Sequence, residues 1–126
     1  MKFFVFALLV ALAGTGCSKG NWIAKVHLVK AENAFSKAYA MRIDKTIPSE
    51  ERLKLYRASC RDFRKAYEYD PSVFTLFRIE SAADACLRVE DFEGSELFRN
   101  FADEYAQQHP NEVKYGDAGP WMTLEG

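Results

Sequence analysis

The expected fold is all-α: two antiparallel helical hairpins, four helices in all, behind an N-terminal signal peptide and ahead of an irregular tail. Two patterns predict this. Apolar residues recur at spacings of three and four in four separate windows. Turn-forming residues fall between those windows, at Asp44 to Pro48, Asp70-Pro71-Ser72 and Glu90-Asp91. A third observation sets where the domain begins, namely an unbroken apolar run from Phe3 to Ala13 preceded by Lys2.

That run is too short to span a bilayer, which takes ~20 residues, and suits the core of a signal peptide. Its end can be read in three ways. Ala11-Leu12-Ala13 has the small-x-small pattern of ordinary signal peptidase cleavage. Gly14-Thr15-Gly16-Cys17 resembles a bacterial lipobox, with Gly14 where leucine is preferred. The third reading is an uncleaved anchor. The lipobox resemblance implies a signal peptide over 1–16, acylation of Cys17, and a lipidated tether over 17–21. Acyl chains contribute ~0.8 kcal/mol per buried CH₂, enough in pairs to hold a small domain on a membrane. Ser18, rather than Asp, follows the cysteine. By resemblance to sorted Gram-negative lipoproteins, this implies the outer membrane, facing the periplasm.

The whole chain has 126 residues, 48% hydrophobic and 28% charged, with a formal net charge of −1. Residues 18–126 make one small domain. The charge balance gives no electrostatic footprint for nucleic acid, and the apolar content is too high for disorder. With Cys17 acylated, Cys60 and Cys86 are left as an even pair. An oxidising compartment allows them to bridge. Counted from Pro71 they stand 11 and 15 residues away on neighbouring helices, a stagger of about 5 Å. The other reading is two buried thiols behaving as small hydrophobes.

The helical domain is expected over 22–110. Leu28, Ala31, Phe35 and Ala38 mark a first helix from Trp22 to about Arg42, widened by Ala34 and Met41. Ser18 to Asn21 reads as a loose tether. Ser49, followed by Glu50 and Glu51, opens a second helix: the hydroxyl can cap and the carboxylates suit the positive end of the dipole. Leu53, Tyr56, Cys60, Phe63 and Tyr67 form its apolar seam, to Tyr69. Pro71 stops it and is comfortable in the first turn of the next. A third helix is expected over Ser72 to Val89, with Leu76, Ile79, Ala83 beside Ala82, Cys86 and Val89. A fourth covers Phe92 to Gln108, with Leu97, Phe98, Phe101, Ala102 and Tyr105 inward and Gly94 weakening its start. Residues 111–126 lack periodicity and read as an irregular tail, in which Trp121 is expected to fold back on the helices.

The second helix-turn-helix resembles a tetratricopeptide repeat. Ile79, Ala82, Ala83, Cys86 and Val89 match the large and small positions of that repeat's first helix. Asp91 and Phe92 occupy its turn, and Ser95, Phe98 and Ala102 match its second helix. Ser59, Phe63, Ala66 and Pro71 show the second-helix spacing in the first unit. Pro71 and Pro110 lie 39 apart rather than ~34. The resemblance covers about residues 28–110. It implies a groove lined by first helices, with Phe77, Glu80, Asp84, Leu87 and Arg88 facing it, and a partner peptide bearing Lys or Arg. Such units normally stack in threes or more, so two leave apolar ends to be covered by the tail, a partner or a second copy.

No constellation for catalysis stands out, and no enzyme activity or cofactor is expected. His27 and His109 read as surface residues near no convincing set of acid and nucleophile. Glu90, Asp91, Glu93 and Glu96 read as a turn plus the negative start of a helix, with a metal site as the alternative. Arg57, Arg61 and Lys65 recur every four residues and repel one another by a few tenths of a kcal/mol; Glu80 and Asp84 are their expected partners across the helices. The functional expectation is a membrane-tethered lipoprotein that contacts another protein or peptide at the cell envelope. A self-assembling spacer, and a carrier of a small ligand or peptidoglycan fragment, are the alternatives.

Overall fold

The computed structural model describes the backbone of residues 2–112 and the side chains of residues 20–112. The chain there is all-helical: α1 (Lys2–Met41), α2 (Ser49–Tyr69), α3 (Leu76–Arg88) and α4 (Phe92–Gln108), with a 3-10 turn at Pro71–Val73. α1 packs along α2, α3 along α4, and α2 against α3. Among the described residues no helix is long and apolar enough to cross a membrane. The expectations for Cys17 and Trp121 lie outside the described side chains.

The first hairpin is built on small residues. Ala24, Leu28, Ala31, Phe35 and Ala38 are all buried along one stripe of α1. The alanines recur every seventh residue and let α2 approach closely. The approach is near enough for the Ser59 hydroxyl to donate to the Ala31 carbonyl at 2.9 Å. Phe35 meets the edge of Tyr56 at 5.7 Å between centroids. His27 faces Asp62 at 3.1 Å, so the pairs 27–62, 31–59 and 35–56 run antiparallel. Full burial of a side chain such as Phe35 contributes about 2–3 kcal/mol.

Residues Gly20 and Asn21 are part of α1, not a loose tether. The Asn21 amide donates to Asp70 at 2.9 Å. A Cβ on Gly20 would stand 2.9 Å from the Tyr69 carbonyl oxygen, so α1 and the end of α2 meet there only because glycine has none. Asp70 also accepts from the Ser72 amide and hydroxyl. These bonds, that from Ser72 foremost and then that from Asn21, hold its carboxyl below the usual range.

The second half is joined through aromatic rings. Phe74 is buried against Phe63, Tyr67, Phe98 and Phe101, with centroids 5.7 to 6.5 Å apart. This explains why α3 begins at Leu76 rather than Ser72. Helical continuation from Ser72 would carry Phe74 away from the rings. Instead Asp70 closes a turn on Ser72, Phe74 is extended (φ −81°, ψ 141°), and the helix restarts after Thr75.

The bounds of α2 and α4 are those expected, and other features differ for local reasons. Ser49 is already inside α2, Pro48 holds the cap position, and no side chain caps there. The α2 seam is wider than expected: Ser59, Asp62 and Ala66 are buried, while Leu53 is exposed. On α3, Ala82 and Ala85 are fully buried and Ala83 only partly. On α4 only Phe98 of the five expected inward residues is fully buried, beside Gly94 and Ser95. Residues 111 and 112, expected in the irregular tail, are helical with Pro110 after His109, since Pro110 carries a φ already suited to a first helical turn. Burial, then the bond to and charge of Glu112, push the Tyr105 phenol up to about 12.

Candidate functional site

A cleft of about 310 Å³ lies between α1 and α3, floored by Phe35 and Phe63, and of the five residues expected to face a groove only Phe77 lines it. Phe77 stands at its mouth, 56% exposed. An ion pair between Glu32 and Arg78 bridges the two walls, and Arg78 also donates to the Val73 carbonyl. Of the other groove residues, Asp84 and Arg88 pair with each other at 2.9 Å. The Arg88 guanidinium lies 4.9 Å from the centre of the Tyr56 ring. Leu87 is exposed and Glu80 half-buried. The structure therefore brings Phe77 to the cleft, and the acid in its wall is Glu32, which the sequence reading missed.

The expected pairing of Arg57, Arg61 and Lys65 with Glu80 and Asp84 does not form. All three cations are exposed, and none makes an ion pair among the described residues. Asp84 is satisfied within its own helix by Arg88, one turn on. The row points instead toward the α3–α4 turn. With Arg64, Val89 and Asp91 it lines an open cleft of about 450 Å³.

Asp91 organises that turn. Its backbone N–H donates to the Cys86 carbonyl at 2.9 Å, and the Glu90 N–H donates to the Leu87 carbonyl at 3.1 Å. These two bonds are the helix-ending pattern that needs a left-handed residue between, and Glu90 supplies it with φ 60°. One carboxylate oxygen of Asp91 accepts from the Gly94 amide at 3.1 Å, capping α4. The other accepts from Arg64 Nη1 at 2.7 Å. Desolvation acts to raise the Asp91 carboxyl, but the Gly94 amide and Arg64 outweigh it and hold it below the ordinary range. Gly94 is not simply a weak helix residue. A Cβ there would stand 2.5 Å from the Asp91 carboxylate and 3.2 Å from Arg64 Cδ.

Cys60 and Cys86 are joined as a disulfide with Cα atoms 4.8 Å apart. The Cys60 sulfur lies 3.3 Å from Asp91 Oδ2. Cys60, Cys86 and Asp91 place three ligand-type atoms within 4.8 Å of one another. With the sulfurs bonded to each other they offer no thiolate, so this triad is a cross-link beside a cap rather than a soft metal site. Of the expected acidic cluster, Asp91 alone belongs to it, while Glu93 approaches Arg64 at 3.8 Å.

His27 departs from the surface reading. It is half-buried, its Nδ1 is 3.1 Å from Asp62, and its ring stacks on Tyr69 at 5.8 Å between centroids. Its acid is 35 residues away in sequence, across the hairpin, which no local motif signals. His109 is exposed and stacks on Tyr105 at 4.0 Å. No family model, no curated protein and no solved structure matches this chain.

Proposed function

We propose that this chain is a lipoprotein held on a membrane of the cell envelope through Cys17, and that its helical domain binds a segment of another protein in the α1–α3 cleft. One observation carries the binding reading: a phenylalanine left more than half exposed at the mouth of a cleft with an aromatic floor. Leaving such a ring in water forgoes about 2 kcal/mol of burial, which a bound side chain recovers. The Glu32–Arg78 pair offers both signs to the polar atoms of a peptide laid across it. A segment presenting one apolar side chain, flanked by Lys or Arg facing Glu32, suits the walls. Of the five groove positions that the tetratricopeptide resemblance implies, Phe77 lies in this cleft, and the lipobox resemblance supports the tether. No turnover is proposed.

Placing a photo-crosslinking residue at Phe77 in cells tests the groove, with the same residue at the distant Glu50 as control. A discrete adduct from position 77, absent from position 50 and lost on Phe35→Asp, is the expected result. Equal labelling from both positions would remove the groove reading. Cys17→Ala should release the protein from membrane fractions; retention as before would remove the tether.

A further inference from the structure

We propose that the outer face formed by α2 and α4 is a self-association surface, on which a second copy of this chain docks about a two-fold axis. The face carries both signs of charge in separate halves. Arg57, Arg61 and Lys65 form an exposed basic row on α2, each about 6 Å further along the axis than the last. Glu93, Glu96 and Glu104 form an exposed acidic row on α4. They edge a third cleft, of about 380 Å³, whose walls include Tyr67, Leu97 and Phe101.

The two rows share one face and run side by side along it. Phe63 and Tyr67 of α2 meet Phe98 at 6.5 and 5.9 Å, and Tyr67 meets Phe101 at 5.2 Å. Moving forward along α2 thus moves forward along α4, so the helices point the same way, with Gly94 beside Arg64 and Glu93 and Glu96 near the level of Arg61 and Lys65. The junction is Arg64, which reaches Asp91 on one side and Glu93 on the other. The α2 side of the junction is basic apart from Glu68, and the α4 side is acidic. A two-fold axis along the seam between the rows lays the basic half of one copy on the acidic half of the other, twice over. Symmetric pairing of this kind is the commonest form of association.

The occupant follows from this arrangement. A foreign acidic or basic protein would satisfy one half and be repelled by the other, whereas a second copy satisfies both. The row on α2 has no ion pair of its own among the described residues, and its like charges repel until a partner offsets them. Charges set partner and register more than strength. Half-buried Tyr67, Leu97 and Phe101 in the acidic half, with Val89 in the basic half, supply apolar area to cover. Neither row lines the α1–α3 cleft, so the inference stands apart from the function proposed above.

Sedimentation velocity of the full chain in detergent micelles tests it, over a concentration series. Wild type should pass from one chain to two, with association weakening as salt rises. Arg57→Glu with Arg61→Glu should weaken it at least ~tenfold, and Glu96→Lys with Glu104→Lys likewise. Mixing the two variants, or combining all four substitutions in one chain, should restore pairing, because each reversed face then meets its complement. Circular dichroism of each variant checks that the helices persist. A wild type that stays a single chain throughout the series overturns the proposal. So does association unmoved by either reversal, or a mixture that pairs no better than its components.

Discussion

Between α1 and α2 the chain crosses from Arg42 to Pro48, whereas between α3 and α4 it crosses from Val89 to Asp91. The long connection is exposed, with Ile43 76% accessible. It closes on itself through local turn bonds, and Asp44 accepts from the Thr46 amide and hydroxyl at 2.9 and 2.6 Å. Nothing in it caps α2. The short connection ends one helix, caps the next, pairs with Arg64 and lies on the disulfide. Both hairpins have the same architecture, but only in the second does a turn side chain cap a helix and pair with a third one. In the first, the alanine seam and the cross-helix bond from Ser59 to Ala31 join the helices.

Removing the cross-link should break this contrast most strongly. Cys60 and Cys86 close a loop with a sequence separation of 26, for which lost loop entropy corresponds to about 3.5 kcal/mol. Cys60→Ala with Cys86→Ala should lower the unfolding free energy by that order in urea titration. A loss below about 1 kcal/mol would mean that the second hairpin holds its turn without the bond.

Asp91→Ala should follow, at about 2 kcal/mol, because it removes a cap and leaves Arg64 without its closest partner. The folded carboxyl is held below its unfolded value. Its contribution is therefore fully present above the unfolded pKa, near 3.9, and is lost as pH falls through the lowered folded value. The stability difference between wild type and Asp91→Ala should be flat from pH 7 to about 5 and shrink below about 4. A difference independent of pH down to 2 would show that the cap does not require the charged form.

The contrast also explains what was legible beforehand. Periodicity revealed all four helices, and α2 and α4 begin and end where the turn residues indicate, because short-range patterning decides those boundaries. The start of α3 was hidden: Phe74 must reach four rings from other elements, and that demand overrides local continuation. Asp91 looked like one of four acids in a negative stretch. Its distinguishing signal was Gly94 three residues later, which makes room for a capping carboxylate. The His27–Asp62 contact and the Glu32–Arg78 bridge each join residues far apart in sequence. Periodicity assigns such residues to a face but says nothing of which face meets which. The row at Arg57, Arg61 and Lys65 was legible as a row, and its partners were not, because Asp84 closes on Arg88 instead.

Glu90→Gly sharpens the comparison in the stabilising direction. Glu90 holds φ 60°, a left-handed conformation that costs a residue with a Cβ about 1 kcal/mol and glycine almost nothing. The substitution should raise stability by about 1 kcal/mol and the melting midpoint by roughly 4–8 °C. An unchanged midpoint would mean that the Glu90 side chain offsets its own strain. The equivalent gain has no counterpart in the first connection, where no residue has positive φ.

The smallest effect belongs to the long connection. Inserting Gly-Ser-Gly between Thr46 and Ile47 lengthens a loop already closed by local bonds. Lengthening costs only about 0.6 kcal/mol per doubling, so thermal unfolding should barely move. The same insertion between Glu90 and Asp91 separates the Asp91 amide from the Cys86 carbonyl and the cap from its helix, at a cost no smaller than that of Asp91→Ala. If the two insertions proved equally costly, the first hairpin would depend on its loop as much as the second depends on its turn. The alanine seam of α1 would then be too weak to set the register of α2 by itself.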